Sequence, residues 1–180
     1  VGLVLMWLPL GRARGWLVPL LCLSPWLAAP APPAPGTAWV SVFDVGQGLA
    51  VLVRTRSHAL LYDAGPRGRG GGDAGKSVVL PNLRAWGVWR LDRLVLSHAD
   101  IDHAGGADAV LAGVHVASLM LSPRDPRPTS ATRCRAGQAW MWDAVRFEVL
   151  HPAPETAGDD NQLSCVLRVT SAGGRRVLLT

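Results

Sequence analysis

The chain has few cysteines, and their spacing is not that of a zinc-binding motif. Its 180 residues include 3 Cys, 1 Tyr and 2 Phe, and nearly all of its 18 basic residues are Arg. Cys22, Cys134 and Cys165 form no CxxC pair, which argues against a zinc finger. Spacing alone neither supports nor excludes a disulfide between Cys134 and Cys165. No internal repeat is visible, which argues against a repeat architecture.

The chain also lacks a strong excess of one charge. Its formal net charge is +5, and the part from residue 36 onward holds sixteen basic and thirteen acidic residues, a net of +3. This excess is too small to demonstrate nucleic-acid binding, although it is compatible with a substrate that bears phosphate. A GC-rich genome explains the preference for Arg over Lys better than a binding function does.

Two apolar runs and a proline-rich stretch occupy the first 38 residues. Residues 1–10 and 16–29 are apolar and flank the basic stretch GRARG. A helix of fourteen residues spans about 21 Å, less than the roughly 30 Å of a bilayer core, so the second run is an extended membrane segment or a signal-peptide core. A buried hairpin is the remaining alternative. We expect residues 1–29 to be transmembrane, with their start missing, and residues 30–38 to be a stiff linker.

Both membrane interpretations predict the same orientation. Basic flanks stay in the cytoplasm, so everything after residue 30 is expected on the extracytoplasmic side of a bacterial plasma membrane. From residue 39 onward, short strands dominate and helices lie between them, which predicts an α/β fold over residues 39–180. The predicted helices cover 77–88 and 105–113, the predicted strands include 90–98, and a loop is predicted over 123–133.

The densest group of possible metal ligands lies in LVLSHADIDHAGG, residues 94–106. Four ligands fall within six residues: His98, Asp100, Asp102 and His103. They follow a hydrophobic strand and precede a helix, and a loop at a strand end lets alternating side chains converge on cations. Helix capping by the two aspartates is the alternative, but it does not explain the two histidines.

Four blocks of sequence point to one family. They are FDVGQGLAVLV (43–53), LLYDAG (60–65), LPNLRAWGVWRLDRLVLSHADIDHAGG (80–106) and DNQLSCVL (160–167). Together they resemble the metallo-β-lactamase superfamily, whose signature is HxHxDH, and in particular the extracytoplasmic C-terminal domain of the ComEC family of DNA-internalisation competence proteins. The resemblance implies a metallo-β-lactamase fold, in which β-sheets are sandwiched between helices.

The resemblance also implies two divalent metal ions. His98 and Asp100 would bind the first ion, and Asp102 and His103, the expected catalytic pair, the second. Asp63 would orient a ligand from beneath through a hydrogen bond. Asp160 or Asn161 stands where the superfamily usually has another metal-site histidine and would be a further ligand. The expected structural turn residues are Gly46, Gly48, Gly105 and Gly106. The change from HxH to HxD favours Mn²⁺ or Mg²⁺ more than an all-imidazole site would, and Zn²⁺ stays open.

The function implied by the resemblance is two-metal hydrolysis of phosphodiester bonds in DNA arriving outside the cell. Its partners would be DNA, the membrane and the rest of the same channel polypeptide. The residues themselves indicate only a metal-dependent hydrolase. A hydrolase of another substrate, such as a thioester, lactone or nucleotide, and a non-catalytic module that binds DNA or seals the channel are the alternatives. We further expect the superfamily's bridging carboxylate, and a later histidine, to lie beyond Thr180.

Overall fold

The structure is a computed structural model that describes residues 31–68, 70–127 and 130–180. Within it, Pro32–Thr180 form one compact unit. The apolar runs that predict membrane segments lie outside the described residues. In the part of the chain that the structure describes, no helix is long and apolar enough to cross a membrane.

A six-stranded sheet forms the centre of the fold. The first eight strands are β1 (Trp39–Val42), β2 (Val51–Arg54), β3 (Ala59–Tyr62), β4 (Arg90–Leu91), β5 (Arg93–Leu96), β6 (His115–Val116), β7 (Leu119–Leu121) and β8 (Thr132–Arg133). Six of them are ordered β1-β2-β3-β5-β7-β8, while β4 and β6 form a separate parallel pair. Strands β3, β5, β7 and β8 run parallel to one another. Strand β3 is buried throughout, as expected for a strand that is covered on both faces.

A second sheet covers one face of the first. It consists of four antiparallel strands, β9 (Ala139–Trp142), β10 (Val145–His151), β11 (Val166–Thr170) and β12 (Arg176–Leu179), in the order β12-β11-β10-β9. Burial alternates along the first part of β10, because successive side chains of a strand point to opposite faces. Phe147 and Leu167 from this sheet pack against Val53, Tyr62 and Val95 from the first.

Helices cover the other face of the first sheet. A π-helical turn, Gly75–Val79, continues into α1 (Leu80–Ala85), and α2 (Ile101–Ala104) and α3 (Ala107–Gly113) follow. Residues from α1 and α3, such as Leu83 and Val110, share a core with Leu52, Leu61 and Leu94 of the sheet. The described residues therefore form three layers, helix, sheet and sheet, and the predicted α/β class is confirmed.

Three local predictions differ from the structure in their bounds. The loop predicted over 123–133 ends in β8, which pairs with β7. The helix predicted over 77–88 begins two residues earlier, as a π-helical turn, and its α-helical part ends at Ala85. The strand predicted over 90–98 is divided at Asp92, whose backbone N–H and carboxylate both bond to Ala59. At Asp92 the chain therefore leaves the pairing of β4 with β6 and enters the six-stranded sheet as β5.

Cys134 and Cys165, whose pairing the sequence leaves open, form a disulfide with their Cα atoms 5.7 Å apart. The N–H of Cys134 donates to Leu121, the last residue of β7. The N–H of Cys165 donates to the carbonyl of Ser97, which directly follows β5. The bridge therefore joins the two sheets at the ends of these strands. By closing a loop across 31 positions, it also restricts the unfolded chain.

Asp143 links the two sheets at their other end, and its pKa predicts how stability depends on pH. Its carboxylate accepts hydrogen bonds from Thr55 Oγ1 and the Ser57 N–H, both at 2.7 Å. These bonds, led by that from Thr55, and the neighbouring His58 lower the pKa of Asp143 from 3.8 to about 2. The ionised form is thus favoured in the folded state. We expect its contribution to the unfolding free energy to be complete above pH 3.8 and lost as the pH falls through about 2.

Urea denaturation at a series of pH values checks this expectation. The Asp143→Asn variant should be less stable at neutral pH, and between about pH 4 and 2 its stability should fall less than that of the unmodified chain. Parallel pH profiles for the two proteins would contradict the assignment.

Candidate metal centre

Three loops meet where the parallel strands of the first sheet end. One follows β3 at Asp63, one follows β5 at Ser97, and one is the turn between β1 and β2. Backbone hydrogen bonds join them: the N–H of Ala64 donates to the carbonyl of His103, and that of Leu49 donates to the carbonyl of Asp102. The loop that bears the HxDxDH residues is therefore held from two sides by backbone.

Asp63 lies beneath this loop and is fully buried. Its carboxylate accepts hydrogen bonds from the Ser97 N–H, from Ser97 Oγ and from His103 Nδ1, all at 2.7 Å. Its φ is +57°, in the left-handed region that Asp tolerates better than most residues. The turn after β3 thus aims a buried carboxylate at the loop above it.

This network assigns the tautomers of both histidines. A carboxylate can only accept, so His103 Nδ1 carries the proton of that bond. The Ser97 hydroxyl donates to Asp63, so its oxygen accepts from His98 Nδ1 at 2.8 Å. Both imidazoles therefore present an unprotonated Nε2 when they are neutral. The hydrogen bond from Asp63 also raises the pKa of His103, against the opposing effect of burial.

The ligand atoms of His98, Asp102 and His103 converge, all lying within 4.8 Å of one another. His103 Nε2 is 3.9 Å from the Asp102 carboxylate, and His98 Nε2 is 3.6 Å from that of Asp100. Two ligand atoms that each lie about 2.1 Å from the same ion are roughly 3–3.5 Å apart. Small side-chain rotations would bring these atoms to that separation. Two imidazoles whose Nε2 lone pairs face carboxylates fit a divalent cation. Asp100 adjoins this group but is outside the mutually close set of three.

Asp160 and Asn161 stand next to the loop but outside the group. The Asp160 carboxylate accepts hydrogen bonds from the Ala99 N–H and, at 2.9 Å, from the Ser122 hydroxyl. The Asn161 side-chain amide donates to the Asp100 carboxylate at 3.3 Å. Because both carboxylate oxygens of Asp160 already accept hydrogen bonds, this geometry favours a role in holding the loop in position over direct binding of a metal.

The glycines of the site allow backbone segments to approach closely. Gly48 has a φ of +140°, and a Cβ added there would lie 2.2 Å from the carbonyl oxygen of Asp102. A Cβ on Gly105 would lie 2.3 Å from the Arg67 nitrogen, and one on Gly106 would lie 2.3 Å from the Ala64 oxygen. Gly46 has space around it but a φ of +74°. Each position therefore excludes a side chain, either through contact or through conformation.

Gly106→Ala is expected to destabilise the fold and disturb the metal loop. The added methyl group would overlap both Ala64 and Gly75, whose nitrogen would be 2.5 Å away. Overpacking against backbone costs about 1–3 kcal/mol, which urea denaturation can measure. Gly72→Ala is the matched control, because within the described residues nothing lies within 4 Å of its added Cβ. Equal stability of the two variants would contradict this packing.

Ser97 is a site residue that the sequence did not single out. It is fully buried and connects Asp63, His98 and His103 through one hydroxyl group. The available signal was a polar residue at the end of an apolar strand, immediately before the first histidine. That signal is weak, because serine commonly occurs where strands end.

Comparison with known proteins agrees with this geometry. The family model described as the metallo-beta-lactamase superfamily matches residues 43–180. The chain is 42% identical over 178 residues to "Competence protein ComA" of Neisseria gonorrhoeae, covering 98% of this chain and 24% of that protein. It is 40% identical over 142 residues to "Recombination protein 2" of Haemophilus influenzae, covering 78% of this chain and 18% of that protein. The chain thus spans about a quarter or less of these relatives.

A solved metallo-beta-lactamase from Cronobacter sakazakii with a HARLDQ motif has the same fold. It superposes with a TM-score of 0.59 at 21% identity, over 88% of this chain and 65% of that one. The family match, the relatives and this fold agree. The chain therefore belongs to the metallo-β-lactamase superfamily, as a domain of the type found in competence proteins of the ComEC family.

Proposed function

We propose that the domain is a metal-dependent hydrolase that cleaves phosphodiester bonds in DNA during its uptake into the cell. The observation that carries the proposal is the convergence of His98, Asp102 and His103 above a buried network that leaves both Nε2 atoms free. The names of two relatives, a competence protein and a recombination protein, support the choice of DNA over other substrates.

The residues of the chain would divide the work between binding and orientation. His98 and His103 would bind two divalent ions, Mn²⁺, Zn²⁺ or Mg²⁺, through Nε2, with Asp100 and Asp102 as carboxylate ligands. Such ions, when bound, polarise phosphoryl oxygens and activate water at neutral pH. Asp63 and Ser97 would hold the Nδ1 protons, so that neither ring turns away. Asp102 and His103 would lie nearest the reacting phosphate.

We further propose that residues 39–180 work on the extracytoplasmic side of a bacterial plasma membrane. The apolar runs before residue 30 would attach them to the membrane and to the rest of a channel polypeptide. The disulfide between Cys134 and Cys165 supports this location, because disulfides persist in oxidising compartments and are rare in the cytosol.

Conversion of supercoiled plasmid to nicked and linear forms in the presence of Mn²⁺ tests the proposal. Cleavage that requires the metal and is lost on chelation is the expected result. Hydrolysis of a thioester or lactone without nicking would support a different substrate. DNA binding without any hydrolysis would support a non-catalytic module.

A further inference from the structure

The end of the domain opposite the metal centre has its own chemistry. His98 follows the end of β5, whereas Arg93 begins that strand, so five residues, roughly 16 Å, separate the two ends. The turn between β2 and β3 and the start of β1 lie at the Arg93 end, because β2 is antiparallel to both of its neighbours. Residues here therefore cannot act on a phosphate held at the metal centre.

Arginine and tryptophan dominate this end. We define the basal face by six residues: Trp39, Arg54, Arg56, Trp86, Trp89 and Arg90. The Arg54 guanidinium lies 5.9 Å from the Trp39 ring centre and 5.8 Å from that of Trp86. Four of the six residues line a cavity of about 420 Å³: Arg54, Arg56, Trp89 and Arg90.

The basal face has unsatisfied groups and exposed aromatic surface. Arg54 Nη1 is buried and has no hydrogen-bond partner within the described residues. Trp89 is 71% exposed and Trp39 is 41% exposed, which is unusual for so large a side chain. Asp92 is the acid in the cavity lining, and it pairs with Arg90 at 3.3 Å. The Asp143 carboxylate, bonded to Thr55 and Ser57 of the lining, is a second acid at this end. Three guanidinium groups against two carboxylates leave the face with a net positive charge.

The chain enters the domain at this same face. Trp39 begins β1 and pairs with Arg54, and residues 31–38 lead into it. The apolar run 16–29 ends ten residues before Trp39 in the sequence.

We propose that the basal face rests on the anionic headgroups of a lipid bilayer. This inference rests on the proposed function, because it takes the apolar runs as the membrane attachment. Arginine binds headgroup phosphates through paired donors, and tryptophan partitions to the boundary between headgroups and acyl chains. The exposed guanidinium groups of Arg56 and Arg90 and the exposed ring of Trp89 thereby find partners. Single-stranded DNA is the competing ligand, and footprinting distinguishes it from lipid.

Hydroxyl-radical footprinting of the full chain in vesicles tests this docking. Residues 1–180 are reconstituted into phosphatidylcholine vesicles with or without phosphatidylglycerol, and oxidation of each peptide is read by mass spectrometry. Each basic residue near an anionic surface strengthens attraction by about fivefold, so several together should dock most of the protein. Oxidation of Trp39 and Trp89 should therefore fall severalfold with phosphatidylglycerol. Ile101, which is 62% exposed beside the metal centre, should be oxidised equally in both.

Two double variants separate charge at this face from charge in general. Arg56→Gln with Arg90→Gln should cost about 25-fold in docking and restore oxidation of Trp89. Arg124→Gln with Arg135→Gln, exposed positions beyond the other ends of β7 and β8, should keep the protection. Equal oxidation of Trp89 in both vesicles would overturn the proposal. Protection by single-stranded DNA but not by lipid would overturn it in favour of a nucleic-acid surface.

Metal binding distinguishes a failure here from a failure of the proposed function. The Arg56→Gln, Arg90→Gln protein should bind Mn²⁺ as the unmodified chain does, because both residues lie at the far end of the strands. If the chain binds no metal but lipid protects Trp89 from oxidation, only the proposed hydrolase function is contradicted. If the chain binds metal and lipid does not protect Trp89, only the proposed docking is contradicted.

Discussion

Replacing Asp63 with Ala is expected to lower the free energy of unfolding by about 3–5 kcal/mol and to abolish tight metal binding. The carboxylate is fully buried, and its removal leaves the Ser97 N–H, the Ser97 hydroxyl and His103 Nδ1 without their acceptor. Each buried donor that is left without an acceptor lowers the free energy of unfolding, because water cannot reach it. Urea denaturation in chelator measures the stability loss apart from any metal effect.

The Asp63→Asn variant separates folding from ligand orientation. Asn keeps the shape and tolerates the φ of +57°, so the stability loss should be smaller than in the Ala variant. Its amide, however, would donate toward His103 Nδ1 where the carboxylate accepts. That contact favours the tautomer protonated on Nε2, whose Nε2 has no lone pair for the metal. Calorimetric titration with Mn²⁺ or Zn²⁺ should therefore show about 10–100-fold weaker binding.

Asp125→Asn is the matched control for Asp63→Asn. The Asp125 carboxylate is also buried, but it pairs with the backbone and guanidinium of Arg127. This variant should lose stability and keep its metal affinity. Nitrogen chemical shifts of the imidazoles report the tautomers directly. If Asp63→Asn keeps both its His103 tautomer and its metal affinity, the network does not orient the ligand.

The general fold could be predicted from the sequence because the signals are local. The apolar run before Ser97 predicts a buried strand, and β5 lies there between β3 and β7. Strand β8 could not be predicted in the same way. It is only Thr132–Arg133, and it exists because Leu121 and Cys134 bring it beside β7. A strand that depends on tertiary contacts of this kind shows no hydrophobic periodicity in the sequence.

The candidate site was predictable as a motif but not as a network. His98, Asp102 and His103 lie within six residues of one another, so their convergence follows from one loop. The partners of that loop are 34 to 61 positions away, namely Asp63 for Ser97 and Asp160 for Ala99. The resemblance suggested metal binding for Asp160, whereas its hydrogen bonds favour a role in positioning the loop. Only the three-dimensional arrangement distinguishes a ligand from a residue that positions one.

Replacing Asp102 with Ala is expected to remove one of about two bound ions and to lower DNA cleavage by about 10³-fold or more, because an ion contributes several kcal/mol of transition-state stabilisation. The fold should be largely unaffected. The Asp102 side chain is 41% exposed, and the contact that Asp102 makes with Leu49 uses its backbone carbonyl, which Ala retains. Metal content after dialysis, plasmid cleavage and urea denaturation measure the three effects separately.

Asp108→Ala is the matched control for Asp102→Ala, since Asp108 lies in the next helix with its side chain 67% exposed and pairs with Arg67. It should keep both ions and full cleavage. Asp100→Ala provides a second comparison, because its carboxylate is 3.6 Å from His98 Nε2 but outside the close group of three. If Asp100 and Asp102 serve different ions, each single variant should keep about one ion and the double variant neither. Unchanged metal content in Asp102→Ala would refute the role of Asp102 as a ligand. Loss of both ions in that variant would indicate that His98, Asp102 and His103 share one ion and that binding of the second ion depends on the first.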